Sequence, residues 1–341
     1  MTPPRVLVFP DGGPRIGGGH VMRCLTLAEA LSDQGAQVAF AANAAAGAVI
    51  AAYGPVGVEV FPLPDDLDAA VAVVSQAPAD WVLLDHYRLT LSQEATLKGK
   101  RRLAVLDDLA DRPRAADLWL DPGYGRTAAD YASLARPGAS VLAGPAYAPV
   151  RPAFAALRAQ ALARRALDTP PARALVFLGL GDLDAITARV LRALRPALPT
   201  LTFDVVLGKG AASLPALWDA PDPRVRLHVD TPAMAELCAQ ADLAIGAGGS
   251  ATWERAVLGL PSVTVILADN QRAMAQAMAR DGLTLALDSS APDFDARLAA
   301  AARQLLDDAA LRQALSARIS ALCDGRGAAR FAEVLLREAG S

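Results

Sequence analysis

Lysine is nearly missing from this 341-residue chain, which has only Lys98, Lys100 and Lys209, and cysteine and histidine occur three times each. Abundant Ala, Arg and Pro beside so little Lys reflect GC-rich codon usage and carry no functional message. Cys24, Cys238 and Cys323 are odd in number and widely scattered, which gives neither a disulfide framework nor zinc-ligand spacing. No apolar run is long enough to cross a bilayer, since the alanine-rich stretch 44–60 is broken by Gly47, Gly54, Pro55 and Gly57. The opening Met1-Thr2-Pro3-Pro4-Arg5 lacks the apolar core of a signal peptide, so a cytoplasmic protein is expected. A formal net charge of −3 offers no electrostatic case for nucleic acid.

What is present is an ordinary globular composition, 53% hydrophobic and 20% charged, in a chain long enough for two domains with separate cores. Short apolar runs alternate with helical patterns almost throughout. The first half predicts strands at 5–9, 37–41, 57–61, 80–84, 102–106, 117–120 and 139–143. A helix over 20–34 is closed by Gly35. Trp81-Val82-Leu83-Leu84 is continuously apolar, as a parallel strand buried on both faces requires. Prolines at 145, 149, 152, 170 and 171 punctuate a connection holding one helix, 153–166. A second series predicts strands at 174–178, 202–207, 225–228, 243–246, 262–266 and 283–287. Its helices fall at 185–195, 213–218, 232–239, 251–258 and 271–280, and three further helices, 294–307, 309–322 and 327–338, close the chain. The reading is α/β with two Rossmann-like domains, 1–150 and 151–341, their parallel sheets facing across a cleft and the terminal helices returning to the first domain.

Each half has a strand, a glycine turn and a helix, the arrangement that offers backbone N–H groups to an anion. Val6 to Phe9 leads into Asp11-Gly12-Gly13-Pro14-Arg15-Ile16-Gly17-Gly18-Gly19-His20. At a helix start His20 can serve as a neutral general base. Arg23, one turn on, faces the same side and can hold an anionic group. Leu243-Ala244-Ile245 leads into Gly246-Ala247-Gly248-Gly249-Ser250-Ala251-Thr252-Trp253-Glu254. Here Gly248 and Gly249 let backbone approach a phosphate, Ser250 and Thr252 add hydroxyl donors, and Glu254 can accept from ribose hydroxyls. The turn is not G-x-G-x-x-G, which disfavours NAD. Asp85-His86-Tyr87 closes a strand at the sheet edge where ligands bind. Asp107-Asp108 does likewise, and either tunes His20, binds sugar hydroxyls or caps a helix. Asn270-Gln271 offers neutral donors and acceptors or an N-cap. His228, inside a strand, reads as structural.

Taken together these motifs resemble the UDP-sugar hydrolases of pseudaminic acid biosynthesis, relatives of the spore-coat polysaccharide proteins and of the glycosyltransferase that makes lipid II. The resemblance rests on Asp11 to Leu25, on Asp85-His86-Tyr87, and on Gly144-Pro145-Ala146-Tyr147 with Arg151 and Phe154. Gly248 to Glu254 and Asn270-Gln271 complete it, over roughly residues 5 to 290. It departs at Gly179-Leu180-Gly181-Asp182, where the family tends to carry Gly-Gly-Ser-Asp. The resemblance implies a GT-B fold, UDP in the second domain, and hydrolysis of UDP-2,4-diacetamido-2,4,6-trideoxy-β-L-altropyranose to UDP and free sugar. His20 would then be the base on water attacking the anomeric carbon, with Asp85 and Tyr87 helping to orient it. Asp11, Gly18, Gly19, Arg23, Arg151, Gly248, Gly249, Ser250, Thr252, Glu254, Asn270 and Gln271 would hold the substrate, with no metal and no cofactor. A UDP-sugar glycosyltransferase on the same fold and a non-catalytic nucleotide-sugar-binding protein are the alternatives; the oligomeric state is left open.

Overall fold

The computed structural model describes residues 3–13, 18–167 and 169–339. The chain forms two compact units, one of Met1–Val150 with Arg326–Ser341 and one of Arg151–Gly325.

The first unit runs β1 (Arg5–Pro10), α1 (Gly19–Asp33), β2 (Gln37–Ala42), α2 (Ala44–Tyr53), β3 (Glu59–Pro62) and α3 (Leu67–Gln76). It continues with β4 (Trp81–Asp85), α4 (Leu91–Lys98), β5 (Arg102–Leu106), β6 (Leu118–Asp121) and β7 (Ser140–Ala143). Its described strands form one parallel sheet ordered β3-β2-β1-β4-β5-β6-β7. Alternation along each strand feeds two layers. Val6, Val8, Trp81 and Leu83 pack under Val21, Leu27 and Leu31 of α1, whereas Leu7, Phe9, Val82 and Leu84 face Val71, Val74 and Leu97. Burial on both faces is why these strands read as unbroken apolar runs. Helix α1 stops where Gly35 takes φ +93°, a left-handed turn that favours glycine.

The second unit runs α5 (Pro152–Arg165), β8 (Arg173–Phe177), α6 (Ile186–Ala197), β9 (Thr202–Leu207), α7 (Leu214–Asp219), β10 (Val225–Val229) and α8 (Met234–Gln240). After these come β11 (Leu243–Ala247), α9 (Ala251–Val257), β12 (Ser262–Ile266), α10 (Asp269–Arg280), β13 (Leu285–Asp288), α11 (Phe294–Asp307) and α12 (Ala309–Ser320). Its sheet is again parallel, ordered β10-β9-β8-β11-β12-β13. The chain order reverses direction between β1 and β4 in one sheet and between β8 and β11 in the other. In open α/β sheets ligands bind outside the carboxyl ends of the strands at such a switch point.

The last helix, α13 (Gly327–Ala339), belongs to the first unit, where Ala328, Phe331, Ala332 and Leu335 join the apolar layer over α1. Its first residue approaches the chain so closely that a Cβ on Gly327 would run into the Tyr147–Ala148 peptide. Backbone cannot yield as a flexible side chain would. Gly327→Ala is therefore expected to cost about 1–3 kcal/mol of unfolding free energy, the range for overpacking, measured by urea denaturation.

Candidate functional site

Register delivers the central residues of the first unit. β1 pairs with β4 so that Pro10 lies beside Asp85, and the Asp11 amide donates to the Asp85 carbonyl at 2.7 Å. Asp85 thus ends its strand at the switch point, under the first turn of α1. His20 stands in that turn and is 7% exposed, and its Nδ1 lies 2.6 Å from Asp85 Oδ1. With Asp85 as an acceptor-only carboxylate, Nδ1 is the donor in this contact, and in the neutral tautomer this selects the lone pair is on Nε2, for which no partner exists among the described residues. Arg23, three residues on and on the same face, donates to Asp85 from Nε at 2.5 Å and Nη2 at 2.6 Å. Its Nη1 reaches Asp108 Oδ2 at 3.0 Å. The Tyr87 hydroxyl donates to the same carboxylate, at 2.8 and 2.9 Å from its two oxygens. The Tyr87 ring closes the circuit by meeting the His20 ring edge-on, centroids 4.7 Å apart.

Burial alone would raise the pKa of Asp85. Arg23 and His20 outweigh it and hold the carboxyl well below the usual carboxylate range. An ionised, fully buried Asp85 fixes the imidazole tautomer and can stabilise the imidazolium that forms when Nε2 takes a proton. In this arrangement Nε2 is the ring atom at which the cluster can accept a proton.

The Arg23 guanidinium is already taken by two carboxylates of the protein. Asp85 meets the His20 imidazole at Nδ1, while Tyr87 donates to Asp108 and packs edge-on against the His20 ring. Asp108 is the member that local reading left undecided; no helix follows β5 for it to cap. Asp107 turns the other way, accepting from the amides of Leu109 and Ala110 and from Arg114.

Asp11 is also committed within the protein. It is buried, accepts from Arg88 Nη2 at 2.9 Å, and lies 3.4 Å from His86 Nε2. His86 Nδ1 accepts the Arg88 amide, which keeps that ring neutral. Burial lowers the His86 pKa from 6.5 to about 4, against the opposing pull of Asp11. The unfolded chain therefore binds the proton first on acidification. The contribution of His86 to stability is complete above pH 6.5 and is lost as the pH falls toward 4, by about 3 kcal/mol. Asp121, raised by burial to about 6, contributes the opposite slope over much of this window. The difference in unfolding free energy between wild type and His86→Gln isolates the histidine, and should shrink from pH 7 to pH 4.

Gly18 is the N-cap of α1 and Gly19 its first residue, and the Gly18 carbonyl accepts from Met22 at 2.9 Å. The part of this motif at 14–17 lies outside the described residues.

In the second unit Gly248, Gly249 and Gln271 come together at the end of β11. A Cβ on Gly248 would stand 3.3 Å from Gln271 Cβ, and Gln271 Oε1 accepts from the Leu267 amide at 3.1 Å. Among the described residues the Gly249 and Ser250 amides have no acceptor. Glu254 pairs with Arg151, whose Nε and Nη2 donate to Oε1 at 3.0 and 2.8 Å, and the Arg151 guanidinium lies 5.1 Å over the Phe154 ring. Thr252 departs from expectation, since it is 3% exposed and its hydroxyl turns inward to the Ala247 carbonyl at 3.4 Å. Asn270 is exposed in the first turn of α10, one residue past its start, and so is no N-cap. His228 holds Asp204 at 2.8 Å within the sheet. Leu180 uses its carbonyl to accept the Gly208 amide, while Asp182, at φ +45°, accepts the Thr187 amide in the first turn of α6 and the Ser213 amide just before α7. Among the described residues no group of three or more His, Cys, Asp or Glu could hold a metal, and no helix is long and apolar enough to cross a membrane.

No protein-family model matches this chain, and no curated protein is similar to it in sequence. Solved structures do share its architecture. The spinosyn rhamnosyltransferase SpnG complexed with thymidine diphosphate is 18% identical over 97% of this chain and 99% of its own, with a TM-score of 0.66. The calicheamicin glycosyltransferase CalG4 is 17% identical over 100% and 99%, TM-score 0.64. MurG of Acinetobacter baumannii is 18% identical over 98% and 100%, TM-score 0.64. At such identities the likeness establishes fold: two Rossmann-like parallel-sheet units of the GT-B class, as expected from the sequence.

Proposed function

We propose that this protein cleaves a nucleotide sugar at the bond between the anomeric carbon and the diphosphate oxygen, with His20 as general base. The observation that carries this reading is the 2.6 Å contact of His20 with a buried, ionised Asp85 at the switch point. Nε2 would take the proton of the attacking hydroxyl as its oxygen bonds to the anomeric carbon from the face opposite the nucleotide. The carbon–oxygen bond to the diphosphate breaks, the nucleotide leaves with the electron pair, and the configuration inverts. A diphosphate is a good leaving group, so little general acid help is required. The free Gly249 and Ser250 amides are suited to its oxygens, and Glu254, preset by Arg151, to the ribose hydroxyls.

The nucleophile we propose is water, and the substrate UDP-2,4-diacetamido-2,4,6-trideoxy-β-L-altropyranose, released as UDP and free sugar. This finer reading is supported by the sequence motifs and not by the structural neighbours. Those neighbours favour a second reading, transfer of the sugar to an acceptor hydroxyl by the same base. Both predict His20 in one role. UDP release from this donor with no acceptor present supports hydrolysis. Release only after an acceptor hydroxyl is added assigns a transferase, and tight UDP binding without turnover in either case assigns a binding protein.

A further inference from the structure

The second unit buries a cation that makes no ion pair among the described residues. Arg255 lies in α9 just beyond the glycine turn and is 3% exposed. Its Nη2 donates to the Ala247 carbonyl at 3.0 Å and to Thr252 Oγ1 at 3.3 Å, while Nε and Nη1 have no acceptor among the described residues. The adjacent carboxylate, Glu254, is engaged by Arg151. The nearby Cys238 thiol is no counter-ion either, since burial pushes its pKa up to about 12. Burial lowers Arg255 only to about 10, which leaves it a cation at neutral pH.

The strand makes room for this charge. A Cβ on Gly246 would collide with the guanidinium, so Arg255 lies directly against the end of β11, where the backbone turns through Gly248 and Gly249. A buried cation without an ion pair is costly, and an apolar side chain would fill such a site at less expense. The cost is offset once an anion arrives at the turn, whose Gly249 and Ser250 amides are without acceptors.

We infer that Arg255 is a positioning residue for a diphosphate: its bond to the Ala247 carbonyl sets the glycine turn, and its unmatched charge favours a polyanion there. This rests on the reading that the second unit takes UDP. Its signature is selectivity by ligand charge. Titration calorimetry of the whole protein with UDP and with uridine should show that Arg255→Met weakens UDP by at least ~10-fold while uridine changes less than ~2-fold. Arg255→Lys, which keeps the charge, should recover UDP to within ~3-fold of wild type. Arg255→Gln retains an amide donor without the charge and guards against a Met variant that does not fold; it should behave like Met. Unchanged UDP affinity in Met or Gln, or equal losses for UDP and uridine, would overturn the proposal. Wild type that binds uridine but gains nothing from the diphosphate overturns this inference alone; wild type that binds neither ligand overturns the underlying reading as well.

Discussion

His20→Ala is expected to lower kcat for nucleotide release by at least ~100-fold, the scale of a lost general base. Only the contacts of His20 Nδ1 with Asp85 disappear, and Arg23 keeps its two hydrogen bonds to that carboxylate. The variant should therefore fold, and its affinity for UDP should stay within about twofold of wild type, since the residues proposed for UDP lie in the other unit. A kcat effect without a binding effect is the mark of a group that acts on the nucleophile. Release that survives the substitution would remove His20 from the mechanism while leaving the fold argument intact.

Asp85→Asn should be worse, because it damages chemistry and stability together. Asp85 is fully buried and accepts from Arg23 Nε, Arg23 Nη2 and His20 Nδ1, with Cys24 Sγ at 3.8 Å. An amide nitrogen in place of either oxygen would face donors, and the buried Arg23 would keep only Asp108 as a counter-ion. The expected cost is about 3–5 kcal/mol of unfolding free energy, as for a broken buried ion pair. Activity should fall at least ~100-fold as well, since the imidazole loses both its tautomer lock and the charge that stabilises its protonated form. Asp108→Asn is the control. It leaves the His20–Asp85 pair intact and should cost less on both counts, measured by urea denaturation and by kcat at pH 7.

The strands were legible because parallel sheets covered on both faces leave unbroken apolar runs; β5 and β12 appear where the runs place them. Ends were less legible. The run read from 57 begins as β3 only at Glu59, because Gly57 is still turning at φ +80°. His20 and Asp85 could each be placed at the carboxyl edge of a strand, but their pairing depends on β1 lying beside β4, which no local pattern records. Helical spacing put Arg23 on the face of His20 and could not say that Asp85 and Asp108 would claim it. The same limit applies in the second unit. Periodicity places Thr252 and Arg255 on a helix, but only packing against Ala247 and Gly246 turns both inward. Long-range register and the partners of buried charges are the parts that one-dimensional reading misses.

The central claim is that an oxygen nucleophile, activated by His20, attacks the anomeric carbon and leaves the diphosphate whole. Turnover of UDP-2,4-diacetamido-2,4,6-trideoxy-β-L-altropyranose in ¹⁸O-labelled water, read by mass spectrometry of both products, tests it most directly. The account predicts the label in the free sugar and none in UDP. Label in the phosphate would place the attack on phosphorus and contradict it.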